Sequence, residues 1–195
     1  MPIKLIGTNH LMKRKEVIAL IKKENPDIIG IELCKIREYI YLNKIEAKPH
    51  QEDKSIIGKI SKAIKDKAKK ENLEYGLDMY SALDYARENK IPYVLVDENI
   101  QKIQQLLQNI PQNESKKFIE EINKFEKQTI AESTIDEDKF LEELNKNFPI
   151  IFTLMITLRE LKIANNILKI QQENQNKKIV IVLGKGHLKG VEKLI

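Results

Sequence analysis

The chain has no tryptophan, one cysteine and three histidines among its 195 residues. A lone thiol, Cys34, excludes an internal disulfide framework and fits a reducing compartment. No apolar run approaches the roughly 20 residues that a membrane helix needs. The longest, Phe148 to Ile156, reads as part of a buried helix. Met1-Pro2-Ile3-Lys4 lacks the apolar stretch of a signal peptide. Neither sign of charge dominates. Thirty-four basic residues are interspersed with 29 acidic ones, and the net charge of +5 serves solubility without demanding an acidic partner. These absences lead us to expect a soluble, cytoplasmic protein with a single domain over 1–195 and no internal repeat or low-complexity tract.

The remaining pattern is that of an α/β protein with a mostly parallel central sheet flanked by helices. Apolar runs at 2–6, 28–33, 92–96 and 178–183 read as buried strands. Between the first two, residues 13–24 place Val17, Ile18, Leu20 and Ile21 on one helical side, and Asn25-Pro26-Asp27 breaks the helix. This is a βαβ unit with an expected right-handed crossover, which makes strands one and two neighbours or near-neighbours. Helices are expected from Cys34 toward Leu42, over 55–70, over 77–88 and from Leu188 to Ile195, with a polar loop at 43–54. The stretch from about 100 to 175, broken at Pro111 and near Ser133-Thr134, is too long for one crossover. It reads as a helical insertion before the last strand, covering the sheet or the cleft mouth. Exposed apolar positions in that half suit a homodimer.

Two turns follow strands directly: Gly7-Thr8-Asn9-His10 and Gly184-Lys185-Gly186-His187. Ligands of open α/β sheets bind at the carboxyl ends of the strands, so imidazoles far apart in the chain can meet there. Glycine permits positive φ and close backbone approach, aiming the following side chain into the cleft. Glu32 stands near the end of an otherwise apolar strand, where a carboxylate is costly to bury without a partner. One reading turns it to solvent or pairs it with Arg37; the other sets it beside His10. His10, Glu32 and His187 could hold a divalent metal with an open position for water, or act without metal as general base and acid. Asp97 ends the third strand at the same sheet edge, and Asp78 lies in the first turn of a helix.

Other motifs carry less. The 184–190 glycines fit neither a dinucleotide fingerprint nor a phosphate loop, with only five residues beyond them. Cys34 reads as packing and His50 as surface. The lysine-rich helix at 55–70 lacks stacking aromatics and carries an isoleucine stripe (Ile56, Ile57, Ile60, Ile64), so nucleic-acid binding is not expected.

Five blocks stand in order: Ile6-Gly7-Thr8-Asn9-His10-Leu11; Asn25-Pro26-Asp27 through Ile31-Glu32-Leu33-Cys34, with Arg37; Tyr75-Gly76-Leu77-Asp78-Met79, with Ala82 and Ala86; Val94-Leu95-Val96-Asp97; and Leu183-Gly184-Lys185-Gly186-His187-Leu188-Lys189-Gly190. Together they resemble the TraB / pheromone-shutdown family, which is related to the Tiki-type membrane metalloproteases and more distantly to erythromycin esterases and haem-binding ChaN proteins. The resemblance implies a site of His10, Glu32 and His187, with Arg37 and Arg159 at basic positions of the family pattern. Asp78 stands where the family has glutamate, and Asp97-Glu98 where it has Asp-Arg. Many relatives carry C-terminal membrane helices, and the expectation here is a soluble minimal version. The function implied is a metal-dependent hydrolase of the peptidase type. Manganese, cobalt or zinc would be bound by the first three residues, and a peptide or small-molecule substrate by Arg37, Asp78, Asp97 and Arg159. The alternative is a non-catalytic protein that sequesters a peptide or small anion.

Overall fold

A computed structural model of the chain describes residues 3–9, 12–45, 56–59, 62, 65, 69, 76–131 and 137–195. His10 and His50 lie outside the described residues, as do Ile60 and Ile64. Four strands, β1 (Ile3–Thr8), β2 (Ile28–Ile31), β3 (Tyr93–Leu95) and β4 (Ile179–Gly184), form one parallel sheet in the order β1-β4-β2-β3. The last strand is inserted between the first two, so β1 and β2 are near-neighbours and β4 is the one strand paired with both. All six β4 residues are buried, as a central parallel strand covered on both faces requires.

Alternation along the strands divides the core. Ile29, Ile31, Val180 and Val182 face α1 (Arg14–Glu24) and a helix at Leu77–Glu88. Ile28, Ile179, Ile181 and Leu183 face two helices that come later in the chain, through Ile163, Ile167, Ile170 and Val191. The connections β1 to β2 and β2 to β3 thus pass one face, while the return from β3 to β4 passes the other. That is the consequence of right-handed crossovers when the chain reverses direction along the sheet. The carboxyl end of β4, where the chain leaves to the opposite face from its neighbours, is the topological switch point at which open α/β sheets bind ligands.

In chain order the helices after α1 are α2 (Lys35–Leu42), α3 (Leu77–Glu88), α4 (Ile100–Gln108), α5 (Gln112–Ala131), α6 (Glu137–Asn147), α7 (Pro149–Phe152), α8 (Leu158–Glu173) and α9 (Lys185–Glu192). Residues 56–59 are also helical, with Ile56 buried, and Lys62, Lys65 and Lys69 are exposed. Asn99 caps α4, its side chain accepting from the Gln101 N–H at 2.9 Å. The insertion packs around a third core that it shares with Ile56: Ile103, Leu107, Ile110, Phe118, Leu144, Phe148 and Ile151, with Phe118 and Phe148 edge to face at 5.2 Å. Two features of it were not expected. The helix breaks again at Phe148, before Pro149, because the residue preceding a proline is disfavoured in helical conformation. A π-helical turn, Thr153–Thr157, then leads into α8. Helix α8 covers the sheet, and Leu141 of α6 reaches Gly186 at the start of α9.

Candidate functional site at the strand ends

The two glycine-histidine segments lie side by side. Gly7 pairs with Leu183 and Thr8 with Gly184, which places the residues just before His10 against those just before His187. Both segments differ in detail from the expected turns. Gly7 and Thr8 belong to β1, and α9 begins at Lys185, so His187 stands in its first turn and the helix starts earlier than Leu188. Neither Gly7 nor Gly184 has positive φ; among described glycines only Gly76 does. What Gly7 provides is close approach, since a Cβ there would lie 3.1 Å from Leu188 Cδ2 and 3.2 Å from Lys185 Cγ.

Glu32 follows β2 immediately and extends the ladder, its N–H donating to Val182 O at 3.0 Å. Glu32 is 2% exposed, which sets aside the solvent-facing reading. The Gly184 N–H donates to Oε2 at 2.6 Å, so the carboxylate sits on the N-terminus of α9, and Arg159 Nη2 donates to Oε1 at 2.5 Å. Arg159, one residue into α8, also donates from Nε and Nη2 to the two oxygens of Asp97, both at 2.9 Å. Burial disfavours the charged guanidinium, but the carboxylates of Asp97 and Glu32 outweigh it and raise its pKa. Arg37 approaches the same Asp97 at 4.0 Å from a side chain 23% exposed. The ends of β2 and β3 are thereby joined through one α8 side chain.

His187 is buried beside this network. Its Nε2 lies 3.7 Å from Glu32 Oε1 and its Nδ1 lies 3.7 Å from Glu160 Oε1. Asp78 is placed elsewhere: fully buried, it accepts from the Thr8 hydroxyl at 2.5 Å and braces the end of β1 against α3. Cys34 is buried, as expected of packing. The sequence reading missed Glu160. Its signal was present, because Glu160 precedes Ile163, Ala164 and Ile167 by three, four and seven residues and so lies on the buried stripe of α8.

Among the described residues, no group of three His, Cys, Asp or Glu side chains is arranged to hold a metal ion. Two donors, His187 Nε2 and Glu32 Oε1, face each other across a gap too long for a hydrogen bond and suited to two ligands of one ion. The third expected donor, His10, is outside the described residues. The pair therefore fits part of a metal site, with Arg159 holding the same Glu32 oxygen that faces His187.

The fold and these residues define an α/β protein with a buried polar centre at the carboxyl ends of its parallel strands. The sequence model of the TraB/PrgY/gumN family matches residues 38–195, and the chain belongs to that family. The matched stretch contains Asp78, Asp97, Arg159 and His187, whereas His10, Glu32 and Arg37 precede it. No curated protein matches the chain in sequence. Among the described residues, no helix is long and apolar enough to cross a membrane.

Proposed function

We propose that the chain is a metal-assisted hydrolase of peptide-like bonds, centred on Glu32 and His187. The observation that carries this reading is the buried carboxylate–imidazole pair, 3.7 Å apart at the strand ends. His10, Glu32 and His187 would hold the divalent ion, and such an ion polarises a carbonyl and acidifies bound water. Glu32 is held in place by Arg159 and by the N–H of Gly184, so it is already oriented to hold the ion or, in place of that role, to accept the proton of an attacking water. Arg159 is committed to two carboxylates, and its part is to fix Glu32 and keep charge density at the site. Arg37, nearer the surface, is the cation placed to meet a substrate carboxylate. Asp97 orients both arginines, and Asp78 supports the wall that carries Thr8.

The test combines zinc or manganese titration by calorimetry with mass spectrometry of a peptide library incubated with the loaded protein. Stoichiometric metal and new peptide termini are expected, and Glu32→Gln or His187→Ala should lower turnover by about a hundredfold or more. Peptides retained but intact would favour the sequestering alternative. Absence of metal binding, or unchanged turnover in both variants, would overturn the proposal.

A further inference from the structure

Glu160 carries a partly buried carboxylate, 13% exposed, with a conspicuous seat. A Cβ on Gly190 would overlap Glu160 Cδ and both of its oxygens, so the carboxylate occupies the space a side chain at that position would fill. A glycine inside a helix costs about 1 kcal/mol relative to alanine. Helix α9 accommodates Glu160 there, one turn beyond His187. Among the described residues, the cation-capable group within ion-pair distance of the Glu160 carboxylate is His187 Nδ1 at 3.7 Å. That nitrogen is itself buried without a hydrogen-bond partner among the described residues. The separation exceeds the longest ordinary N–H···O bond by about 0.5 Å, a gap that a small rotation of either side chain closes.

We infer that Glu160 is a positioning residue for His187: it accepts a hydrogen bond from Nδ1–H and thereby turns the lone pair of Nε2 toward Glu32. A neutral imidazole has one donor and one acceptor nitrogen, and the partner of the first decides which nitrogen is the second. The opposite assignment would leave the Nδ1 lone pair facing the Glu160 carboxylate. Glu32 receives Arg159 on one oxygen and the Gly184 N–H on the other, whereas Glu160 offers its carboxylate to His187. Buried ligand or base histidines are characteristically held in this way by a carboxylate on the far nitrogen. The inference deepens the hydrolase reading by naming the residue that orients its imidazole. Its test involves no turnover and no metal, so the two can fail separately.

The chain has three histidines, and single substitutions of His10 and His50 assign their ring signals in the uniformly 15N-labelled protein. At a pH where the imidazole is neutral, two-bond 1H–15N spectra of the intact chain are expected to show His187 as the Nδ1–H tautomer. Glu160→Gln keeps a carbonyl acceptor and should retain that tautomer. Glu160→Ala should lose it in favour of Nε2–H, the form a free imidazole prefers. An Nε2–H tautomer in the unsubstituted protein overturns the inference whatever the variants do, and so does an Nδ1–H tautomer that survives Glu160→Ala.

Discussion

Arg159 neutralises two carboxylates that would otherwise be buried alone, since Glu32 and Asp97 side chains are 3% and 4% exposed. Removing one partner of such a network leaves uncompensated charge in the interior. Arg159→Ala should therefore lose about 3–5 kcal/mol of unfolding free energy, read as a lower denaturant midpoint at constant slope. Arg159→Lys should recover little of it, because an ammonium cannot serve the two oxygens of Asp97 and Glu32 together from one planar fork. A second residue-scale prediction concerns pH. Tyr93 donates its hydroxyl to Glu38 at 2.6 Å, and that hydrogen bond, aided by burial, raises the phenol above its ordinary value of 10.0. A raised folded-state pKa contributes stability that is complete below about pH 10 and disappears as pH climbs through the folded value. Tyr93→Phe should flatten that alkaline decline, which thermal melts from pH 8 to 11.5 would register. Glu32 shows how far residue identity carries from sequence alone. A carboxylate on an apolar strand end announced that it needed a partner, but spacing offered only solvent, Arg37 or His10, and Arg159, 127 residues away, reaches it only through the tertiary fold.

At the scale of elements, α8 and α9 do most to build the site. Arg159 and Glu160 are adjacent on α8 and so project in different directions, one toward the ends of β2 and β3 and the other onto α9. A π-helical turn precedes them, and no local signal in Thr153-Leu154-Met155-Ile156-Thr157 announced it. Helix α3, by contrast, was legible to the residue, because Gly76 at φ +76° and the apolar spacing from Leu77 leave no alternative start. The N-terminus of α9 was misplaced by three residues, because glycines at 184 and 186 read as a turn when β4 in fact passes straight into the helix. Gly190 supplies the prediction for this scale. On an exposed helix Gly→Ala stabilises by about 1 kcal/mol. In α9 the added methyl would collide with the Glu160 carboxylate, so Gly190→Ala should instead lower the thermal midpoint. A raised midpoint would show that the carboxylate moves aside without cost.

Across the whole molecule, the strand order β1-β4-β2-β3 is what turns a dispersed set of residues into a site. Sequence pattern established four parallel strands and their helices, and the right-handed rule constrained the faces, but nothing local places β4 between β1 and β2. That insertion seats Gly184 against Thr8 on one side and Val182 against Ile31 on the other, so His187 arrives beside Glu32. The insertion at 100–175 is also more than a lid. Its α8 is a wall of the sheet's core, while α4 to α7 gather with Ile56 in a separate apolar cluster, and Leu141 of α6 reaches the site helix. The most direct test of the account is an anomalous difference map from crystals of the full chain grown with manganese. The account predicts a single strong peak at the end of β4, within coordination distance of Glu32 and His187. Crystals with those side chains ordered and no peak between them, or with the peak elsewhere in the molecule, would contradict it.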